Sequence, residues 1–280
     1  MKKRVLLTGA TGFVGRQVLR SLCASGVTVD VVVRDGSDTR SMEEYGVGRI
    51  LSTVDMFAED VAWWQSACTD VDIVVHAAWY AEPGRYLQSS VNLDCLEGTL
   101  RLARGASRAG VKRFVGIGTC FEYDLTPGHL SVNTPLRPTT PYAAAKASTF
   151  WMLSQWLPTQ GLEFLWCRLF YLYGEGEDPR RLVAMVRKKL AAGEPVELTS
   201  GAQLRDFMDV RSAGHRIAGA ALSALQGPLN VCSGTGISVR AMAEEIADEF
   251  GRRDLLRFGA RPDNLVDPPC VVGVLTTDDQ

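Results

Sequence analysis

The amino-acid sequence predicts an α/β protein in which a doubly wound parallel sheet carries a smaller C-terminal lobe. Short runs of apolar and β-branched residues alternate with helical stretches from the first residues onward. The runs are apolar at successive positions, as strands that are buried on both faces require. A glycine-rich turn directly follows the first run, which is typical of the first strand-to-helix connection of such a sheet.

The individual elements follow from the same pattern. The predicted strands occupy residues 4–8, 28–33, 49–53, 71–76, 112–118 and 163–169, and helical periodicity covers residues 12–24, 85–109 and 141–157. Because strand–helix–strand crossovers are right-handed, this alternation gives a Rossmann-type sheet. Such a sheet binds its ligand at the carboxyl ends of the strands.

The pattern changes near residue 174, where an acidic, turn-rich segment interrupts it. Beyond this segment, helices alternate with short, isolated β segments near residues 196–198, 207–210 and 229–231. We therefore expect a Rossmann domain in residues 1–173 and a smaller lobe over the sheet edge in residues 174–280.

Composition excludes several classes of protein. The 280 residues are 46% hydrophobic and 22% charged, with a formal net charge of −2 and no basic block, which argues against a nucleic-acid surface. No apolar run approaches the roughly 20 residues of a membrane-spanning helix, and the apolar start is too short for a signal peptide. Seven irregularly spaced cysteines and three unpaired histidines predict neither a disulfide framework nor a metal site. We expect a soluble, cytoplasmic protein.

The glycine-rich turn predicts a dinucleotide site. Glycines there let backbone N–H groups and a helix N-terminus approach a pyrophosphate. The residues expected to contact the cofactor are Gly9, Thr11, Gly12, Phe13, Val14 and Gly15.

The end of the second strand distinguishes between cofactors. Arg34 lies where that strand ends, and its guanidinium can pair with the 2′-phosphate of NADP(H). Asp35 next to it could instead bind the ribose hydroxyls of NAD(H). We expect NADP(H), with NAD(H) as the second choice.

A tyrosine and a lysine predict proton-transfer chemistry. Tyr142 and Lys146 are four residues apart on a helix with Thr140 as cap and Pro141 in the first turn, so both lie on one face. An ammonium group beside a phenol is expected to lower the phenol pKa, and the pair can then exchange a proton with a carbonyl oxygen. Thr119 ends the preceding strand, and its hydroxyl can bind the reacting oxygen or simply terminate the strand.

Together these segments resemble the extended short-chain dehydrogenase/reductase family, in its nucleotide-sugar epimerase, dehydratase and reductase branch. The resemblance covers about residues 4–265 and rests on TGATGFVG, HAA, GTCFEY, PYAAAK, RLFYLYG and QLRDF. It implies an NADP(H)-binding domain followed by a substrate-binding lobe. It further implies that Thr119, Tyr142 and Lys146 are catalytic, and that Tyr142 and Lys146 also contact the cofactor, with Lys146 at its ribose.

The same resemblance assigns residues that composition and spacing do not. Asp55 and Met56 correspond to a pair at the adenine, and Ala77 and Ala78 to a segment at the pyrophosphate and ribose. Arg205 and Arg261 correspond to arginines that hold a sugar-nucleotide diphosphate.

Departures from the family pattern reduce the number of reactions that the resemblance allows. The 4,6-dehydratases of this family carry an Asp-Glu pair after the catalytic threonine, where this chain has Cys120 and Phe121. Fucose-pathway epimerase-reductases carry a cysteine two residues after the catalytic hydroxyl, where this chain again has Phe121. Many relatives have asparagine at Tyr171, so we expect the substrate contact there to differ. Trp79, Tyr80 and Glu122 lie near strand ends that should face the sugar, so we expect Trp79 and Glu122 to contact the substrate. The aromatic side chains there could equally pack in the core.

These observations predict an NADPH-dependent reductase acting on C4 of a nucleotide-linked 4-keto-6-deoxyhexose, with dTDP as the expected nucleotide. An NAD-dependent C4-epimerase would use the same residues in both directions. A regulatory protein that kept the fold without turnover is the alternative from another class, and the intact Thr119, Tyr142 and Lys146 argue against it. The resemblance also implies a homodimer through a helix bundle, formed by the helices at 85–109 and 141–157.

Overall fold

The computed structural model describes residues 2–264 and 267–275. The strands are β1 (Arg4–Thr8), β2 (Thr28–Arg34), β3 (Ile50–Thr53), β4 (Ile73–His76), β5 (Arg113–Thr119), β6 (His129–Leu130), β7 (Glu163–Leu169), β8 (Tyr171–Tyr173), β9 (Val196–Leu198), β10 (Leu204–Arg205), β11 (Phe207–Asp209), β12 (Gly227–Val231), β13 (Ile237–Ser238), β14 (Leu256–Phe258) and β15 (Cys270–Gly273). The helices are α1 (Phe13–Ala24), α2 (Arg40–Glu44), α3 (Val61–Ala67), α4 (Val91–Arg108), α5 (Pro141–Thr159), α6 (Leu182–Ala191), α7 (Val210–Leu222) and α8 (Val239–Phe250).

A central sheet of seven parallel strands confirms the predicted fold class. Its strand order is β12-β7-β5-β4-β1-β2-β3. The chain builds outward from β1 to β3 and then returns to the other side of β1 with β4. This reversal leaves a crevice at the carboxyl ends of β1 and β4, which is where a sheet of this topology binds its ligand.

Two apolar layers cover the faces of the sheet. Leu6 and Leu7 are neighbours on β1 and point to opposite faces, so each belongs to a different core cluster. On one face α1 and α7 pack over the sheet, with Ile217 of α7 fully buried. On the other face α3, α4 and α5 bury Trp64 and other large side chains. The continuous apolar strands of the sequence are explained by burial on both sides.

The smaller lobe is built mainly from the later part of the chain, and strand β6 joins it from the N-terminal part. Helices α6 and α8 pack together over β9 and β14 with an apolar core of their own. A second, four-stranded sheet has the order β13-β10-β15-β6.

The interpretation of residues 229–231 as an isolated segment of this lobe is wrong. They belong to β12, which pairs with β7 at the edge of the central sheet. Helix α7 likewise packs on α1. The division of the chain at residue 173 stays a prediction, but residues 210–231 return to the central sheet. A short apolar run cannot reveal which sheet it joins, because its partner lies far away in sequence.

The helices of the described chain include none that is both long enough and apolar enough to cross a membrane.

Candidate functional site

The turn between β1 and α1 allows close approach of backbone to backbone. Gly9 adopts φ +75°, and a Cβ atom there would lie 2.6 Å from the Ala78 backbone nitrogen. A Cβ atom on Gly15 would lie 2.0 Å from the Gly9 carbonyl oxygen. Larger side chains would therefore push the helix away from the turn.

The first turn of α1 is suited to an anion. Its N-cap is Gly12, which offers no side-chain hydrogen bond, so no side chain caps the first N–H groups of this helix. The leading N–H groups of a helix have no partner within the helix, and the helix dipole favours negative charge there. Gly12, Phe13 and Val14 line the large cavity described below, so a phosphate group can bind at this end.

Helix α5 presents Tyr142 and Lys146 to the same cavity. The Thr140 side chain accepts a hydrogen bond from the Ala143 N–H, and Pro141 occupies the first turn, which fixes the helix start. The Tyr142 ring meets the Tyr86 ring edge to face at 4.7 Å between centroids.

The Lys146 ammonium is held by two groups from other elements. Its Nζ donates to the Ile117 carbonyl oxygen at 2.6 Å and lies 3.7 Å from the centroid of the Trp79 ring. Trp79 is itself fixed, because its Nε1 donates to the Asn92 side-chain oxygen at 2.9 Å. A cation over an indole face is an attractive contact.

The expected lowering of the Tyr142 pKa by Lys146 is not found. Burial raises the pKa of the Tyr142 phenol, and the nearby Tyr86 raises it further, while a hydrogen bond with Thr119 opposes both. Burial also acts on Lys146, where desolvation lowers the pKa of the ammonium to about 7. The spacing of four residues placed both groups on one face, but it could not reveal how deeply each is buried.

Thr119 completes the group of three predicted catalytic residues. It is the last residue of β5, and its hydroxyl accepts a hydrogen bond from the Phe121 N–H at 3.3 Å. Its side chain, Tyr142 and Lys146 line one cavity of about 640 Å³. A phenol, an ammonium group and a hydroxyl around one space can bind a carbonyl oxygen and exchange a proton with it.

Three groups of residues make up the walls of this cavity. One wall is the glycine turn, and the floor is formed by the ends of β4, β5 and β7. The third wall consists of two loops that follow β4 and β8, with the residues Trp79, Ala81, Glu82, Pro83, Tyr86, Gly176, Glu177, Asp178, Pro179, Arg180 and Arg181. Ala77 also lines the cavity, and Ala78 lies buried behind it with its N–H donated to the Thr8 hydroxyl.

Other predicted cofactor residues lie outside this cavity. Arg34 is exposed at the carboxyl end of β2, as its sequence position predicted. Thr11 and Asp55 are also exposed, and Asp55 accepts a hydrogen bond from the Phe57 N–H. Met56 packs against the core cluster on the α4 side of the sheet.

A second cavity of about 290 Å³ lies in the smaller lobe and contains both predicted diphosphate arginines. Arg205 is buried, its guanidinium forms an ion pair with Asp267 at 2.7 Å, and its Cζ lies 5.3 Å from the Tyr171 ring centroid. Arg261 is exposed at the edge. Tyr171 lines both cavities and therefore stands at their junction.

The expectation that Glu122 faces the sugar is wrong. Its carboxylate is fully buried and lies outside the lining of both cavities. It accepts hydrogen bonds from the Thr119 N–H and from the Trp166 and Arg168 side chains. A position near a strand end does not show to which side of the strand a residue turns, and this one turns inward.

Three further residues at the cavity were not predicted from the sequence, namely Tyr86, Arg180 and Arg181. Tyr86 packs on Tyr142, and the two arginines follow the acidic turn after β8. Arg180 pairs with Asp178 at 2.8 Å and with Glu82 at 3.7 Å, which joins the two loops over the cavity. These residues stand in irregular segments, and no periodicity or motif distinguishes them from solvated loop residues.

Within the described residues, no three His, Cys, Asp or Glu side chains come together as ligands for a metal ion.

A model of the NAD dependent epimerase/dehydratase family matches residues 5–225. The chain is 27% identical over 274 residues to dTDP-6-deoxy-L-talose 4-dehydrogenase (NAD(+)) of Aggregatibacter actinomycetemcomitans, covering 96% of this chain and 98% of the relative. It is 28% identical over 264 residues to dTDP-6-deoxy-L-talose 4-dehydrogenase (NAD(P)(+)) of Kitasatospora kifunensis. This match covers 89% of this chain and 79% of the relative.

Solved structures give a similar result. The UDP-glucose 4-epimerase of Thermus thermophilus, determined in complex with NAD, is 25% identical and superposes with a TM-score of 0.80. The match covers 99% of this chain and 91% of that chain. The likeness therefore includes the smaller lobe as well as the central sheet.

Proposed function

Because the chain belongs to the NAD dependent epimerase/dehydratase family, as its motifs predicted, we propose that it is a nucleotide-sugar 4-ketoreductase. The substrate is a nucleotide-linked 4-keto-6-deoxyhexose, with dTDP as the expected nucleotide, and the reductant is NADPH. The observation that carries this proposal is the convergence of Thr119, Tyr142 and Lys146 on one cavity beside the glycine turn.

The glycine turn and the open N-terminus of α1 fit the pyrophosphate of a nicotinamide dinucleotide. Gly9 and Gly15 provide the close approach that a Cβ atom would block, and Gly12, Phe13 and Val14 line the cavity. Arg34 at the end of β2 is exposed and can pair with a 2′-phosphate, which supports NADPH over NADH. A bound nicotinamide would supply the hydride.

Side chains of the protein would carry out the proton transfer to the ketone oxygen. Burial raises the pKa of Tyr142, so its phenol is protonated at neutral pH and can donate a proton to the ketone oxygen. Thr119 orients that oxygen with its hydroxyl. Lys146 places a positive charge beside the cavity, which stabilises negative charge as it develops on the oxygen.

The residues after Thr119 argue against loss of water from the sugar. Burial raises the pKa of the Cys120 thiol to about 12, so the thiol stays protonated and cannot serve as a base. Phe121 has no ionisable group. The chemistry that remains is oxidation or reduction at C4. This agrees with the names of the two dTDP-6-deoxy-L-talose 4-dehydrogenase relatives, because a dehydrogenase and a ketoreductase catalyse one reaction in opposite directions.

The second cavity provides room for the nucleotide part of the substrate. Arg205 and Arg261 bring positive charge to it, and Tyr171 joins it to the cavity that holds Tyr142. Guanidinium groups bind diphosphates well because they offer several donors in one plane.

The test is the reaction of a dTDP-4-keto-6-deoxyhexose with NADPH in deuterated water, followed by absorbance, NMR and mass spectrometry. We expect one NADPH oxidised per sugar consumed, no loss of water and no deuterium at C3 or C5. Tyr142→Phe should bind NADPH normally and lose about 10²–10⁴-fold in turnover, since it lacks the proton donor. Full activity of Tyr142→Phe would refute the assigned role.

An NAD-dependent C4-epimerase is the second candidate, because the superposed Thermus thermophilus structure is such an enzyme with NAD. An epimerase restores its cofactor in every cycle. Conversion of the sugar without net loss of NADPH, or incorporation of deuterium at C3 or C5, would therefore favour epimerisation and refute the simple reductase.

We further propose a homodimer formed through α4 and α5. These helices pack side by side, and they expose large apolar side chains at Leu93 (62%), Trp151 (50%) and Met152 (50%). Burial of such a patch between two copies would remove it from water. Light scattering of the protein and of the Trp151→Lys/Met152→Lys variant tests this assignment, since only the variant should be monomeric.

A further inference from the structure

The Glu122 carboxylate lies directly beneath the proposed catalytic site. It belongs to the 3-10 turn Cys120–Glu122 that follows β5. It accepts hydrogen bonds from the Thr119 N–H at 2.8 Å, from Trp166 Nε1 at 3.0 and 3.1 Å, and from Arg168 Nε at 2.7 Å. Every partner is a donor, so the side chain serves here only as an acceptor.

Two glycines of β5 make room for this arrangement. A Cβ atom on Gly118 would lie 2.2 Å from Trp166 Nε1 and 2.4 Å from Glu122 Oε1. A Cβ atom on Gly116 would lie 2.2 Å from the Trp166 ring. Glycine is unfavourable within a strand unless close approach requires it. Because β5 has no side chain at these two positions, the indole and the carboxylate can pack directly against its backbone.

Arg168 depends on Glu122 for its charge balance. It is buried, and its Cζ lies 4.4 Å from the Phe150 ring centroid and 4.6 Å from the Tyr123 ring centroid. Its Nε pairs with Glu122, while its Nη2 has no hydrogen-bond partner within the described structure. Removal of the carboxylate charge would leave a buried, uncompensated cation, which is strongly unfavourable.

The same carboxylate acts on Lys146. Lys146 Nζ lies 5.9 Å from the Trp166 ring centroid, and the Nε1 of that ring donates to Glu122. The titratable groups that face Lys146 are Glu122 after β5, Cys95 on α4 and His76 on β4, with Tyr142 on its own helix. Desolvation lowers the pKa of Lys146, and attraction to Glu122 opposes that lowering more than the other groups do.

We propose that Glu122 is the positioning residue of this site, which fixes the Thr119 backbone at the end of β5 and keeps a proton on Lys146 across the Trp166 indole. Glu122 does not contact the cavity and acts only through these neighbours. The inference rests on the proposed function for its catalytic consequence, but both of its physical effects exist in the ligand-free protein.

The test uses the ligand-free full chain with Glu122→Gln. NMR of isotope-labelled lysine, assigned with Lys146→Met, follows the titration of Lys146, and amide hydrogen exchange follows the Thr119 N–H. We expect the pKa of Lys146 to fall by about one unit or more, since one opposite charge is removed. We also expect exchange at Thr119 to accelerate at least tenfold.

Two controls separate these effects from a general loss of stability. Asp30→Asn removes another fully buried carboxylate, which accepts hydrogen bonds from Arg4 and Arg49 near the amino-terminal ends of β1 and β2. It should leave both readouts unchanged. Glu122→Asp keeps the charge and should restore the Lys146 titration to that of the wild type, while its shorter side chain leaves Thr119 exchange faster.

If Glu122→Gln does not fold, the variant Glu122→Gln/Arg168→Met removes both buried charges, and the pKa of Lys146 should still fall. An unchanged Lys146 titration in a folded variant without the Glu122 charge overturns the proposal, as does unchanged exchange at Thr119. With the keto sugar and NADPH, Glu122→Gln should lose at least tenfold in kcat. The decrease in kcat that follows deprotonation of Lys146 should shift to lower pH, together with the Lys146 pKa. A wild-type protein without turnover would refute the proposed function alone, because the ligand-free readouts still decide this inference.

Discussion

At the scale of single residues, burial sets the chemistry of the proposed site more than proximity does. Tyr142 and Lys146 lie on one face of α5, yet the ammonium reaches the Ile117 carbonyl and the Trp79 ring. The residue types and their spacing could be predicted from the sequence. The partners could not, because Ile117 and Trp79 come from other elements and only the folded sheet brings them to Lys146.

The buried Lys146 gives a prediction for stability. Its pKa is lowered to about 7 in the folded chain, against 10.5 for a free lysine. Between these values the unfolded chain binds one more proton than the folded chain, so stability must rise with pH through that window. The slope contributed by one proton approaches about 1.4 kcal/mol per pH unit.

Urea unfolding of the wild type and of Lys146→Met between pH 6 and 9.5 measures this contribution. The variant should lack the rise, so the difference in unfolding free energy between the two proteins should change steadily above pH 7. Lys112→Met, at an exposed lysine before β5, should retain the wild-type slope. If the unfolding free energies of the wild type and Lys146→Met changed in parallel with pH, the pKa of Lys146 would not be lowered in the folded chain.

The side chain of Arg34 gives a prediction for cofactor choice. Only NADPH carries the 2′-phosphate that this exposed guanidinium can pair with, and such a charge-assisted contact contributes about 1.5–3 kcal/mol. Arg34→Ala should therefore weaken NADPH binding about ten- to a hundredfold and leave NADH binding nearly unchanged. Fluorescence titration with both cofactors measures this, with Arg257→Ala on β14 as a control at another exposed arginine. Equal weakening of both cofactors would assign Arg34 a different role.

At the scale of elements, the start of α1 combines a tight turn with an open helix end. The motif predicted this turn correctly, because strand, glycines and helix are contiguous in sequence. The smaller lobe was less predictable. Its strands are two to four residues long and pair with distant partners, as β10 does with β15. Local patterns of this length do not specify their partners.

The contact between Gly15 and Gly9 gives a prediction for this element. In Gly15→Ala the new methyl group would lie 2.0 Å from the Gly9 carbonyl oxygen, so the turn must shift. We expect a loss of about 1–3 kcal/mol in unfolding free energy and at least a tenfold weaker binding of the dinucleotide.

A helical glycine with free space provides the matched control. Gly219 on α7 has no atom within 4 Å of a Cβ position, so Gly219→Ala should increase stability by up to about 1 kcal/mol and leave binding unchanged. Thermal unfolding and cofactor titration of both variants check the prediction. Normal binding by Gly15→Ala would mean that the phosphate lies elsewhere.

At the scale of the whole molecule, the central sheet is completed by a late segment of the chain. After β7 and β8 the chain forms α6 and several lobe strands, and it then returns with α7 and β12. Ile217 of α7 and Val231 of β12 belong to the same core cluster as Val5 and Leu7 of β1. The alternation of strands and helices predicted the sheet, but it could not show that residues 227–231 join it.

This return gives a prediction about fragments. A fragment of residues 1–173 lacks α7, so that only α1 remains on that sheet face, and it leaves β7 unpaired along one edge. We expect it to show helical circular dichroism with no dispersed NMR spectrum and to aggregate. A fragment of residues 1–232 keeps α7 and β12 and should be better folded by both measures. A well-dispersed spectrum from residues 1–173 would instead establish an autonomous N-terminal domain.

The position of β12 in the chain also bears on biosynthesis. During synthesis the N-terminal strands emerge first, but the outer edge of β7 has no partner until more than fifty further residues have followed it. An unpaired, apolar strand edge is a template for pairing with another chain. For that interval the nascent polypeptide is exposed to misassembly on crowded ribosomes. The yield of native protein should therefore depend on translation speed beyond residue 169 and on chaperones that shield this edge.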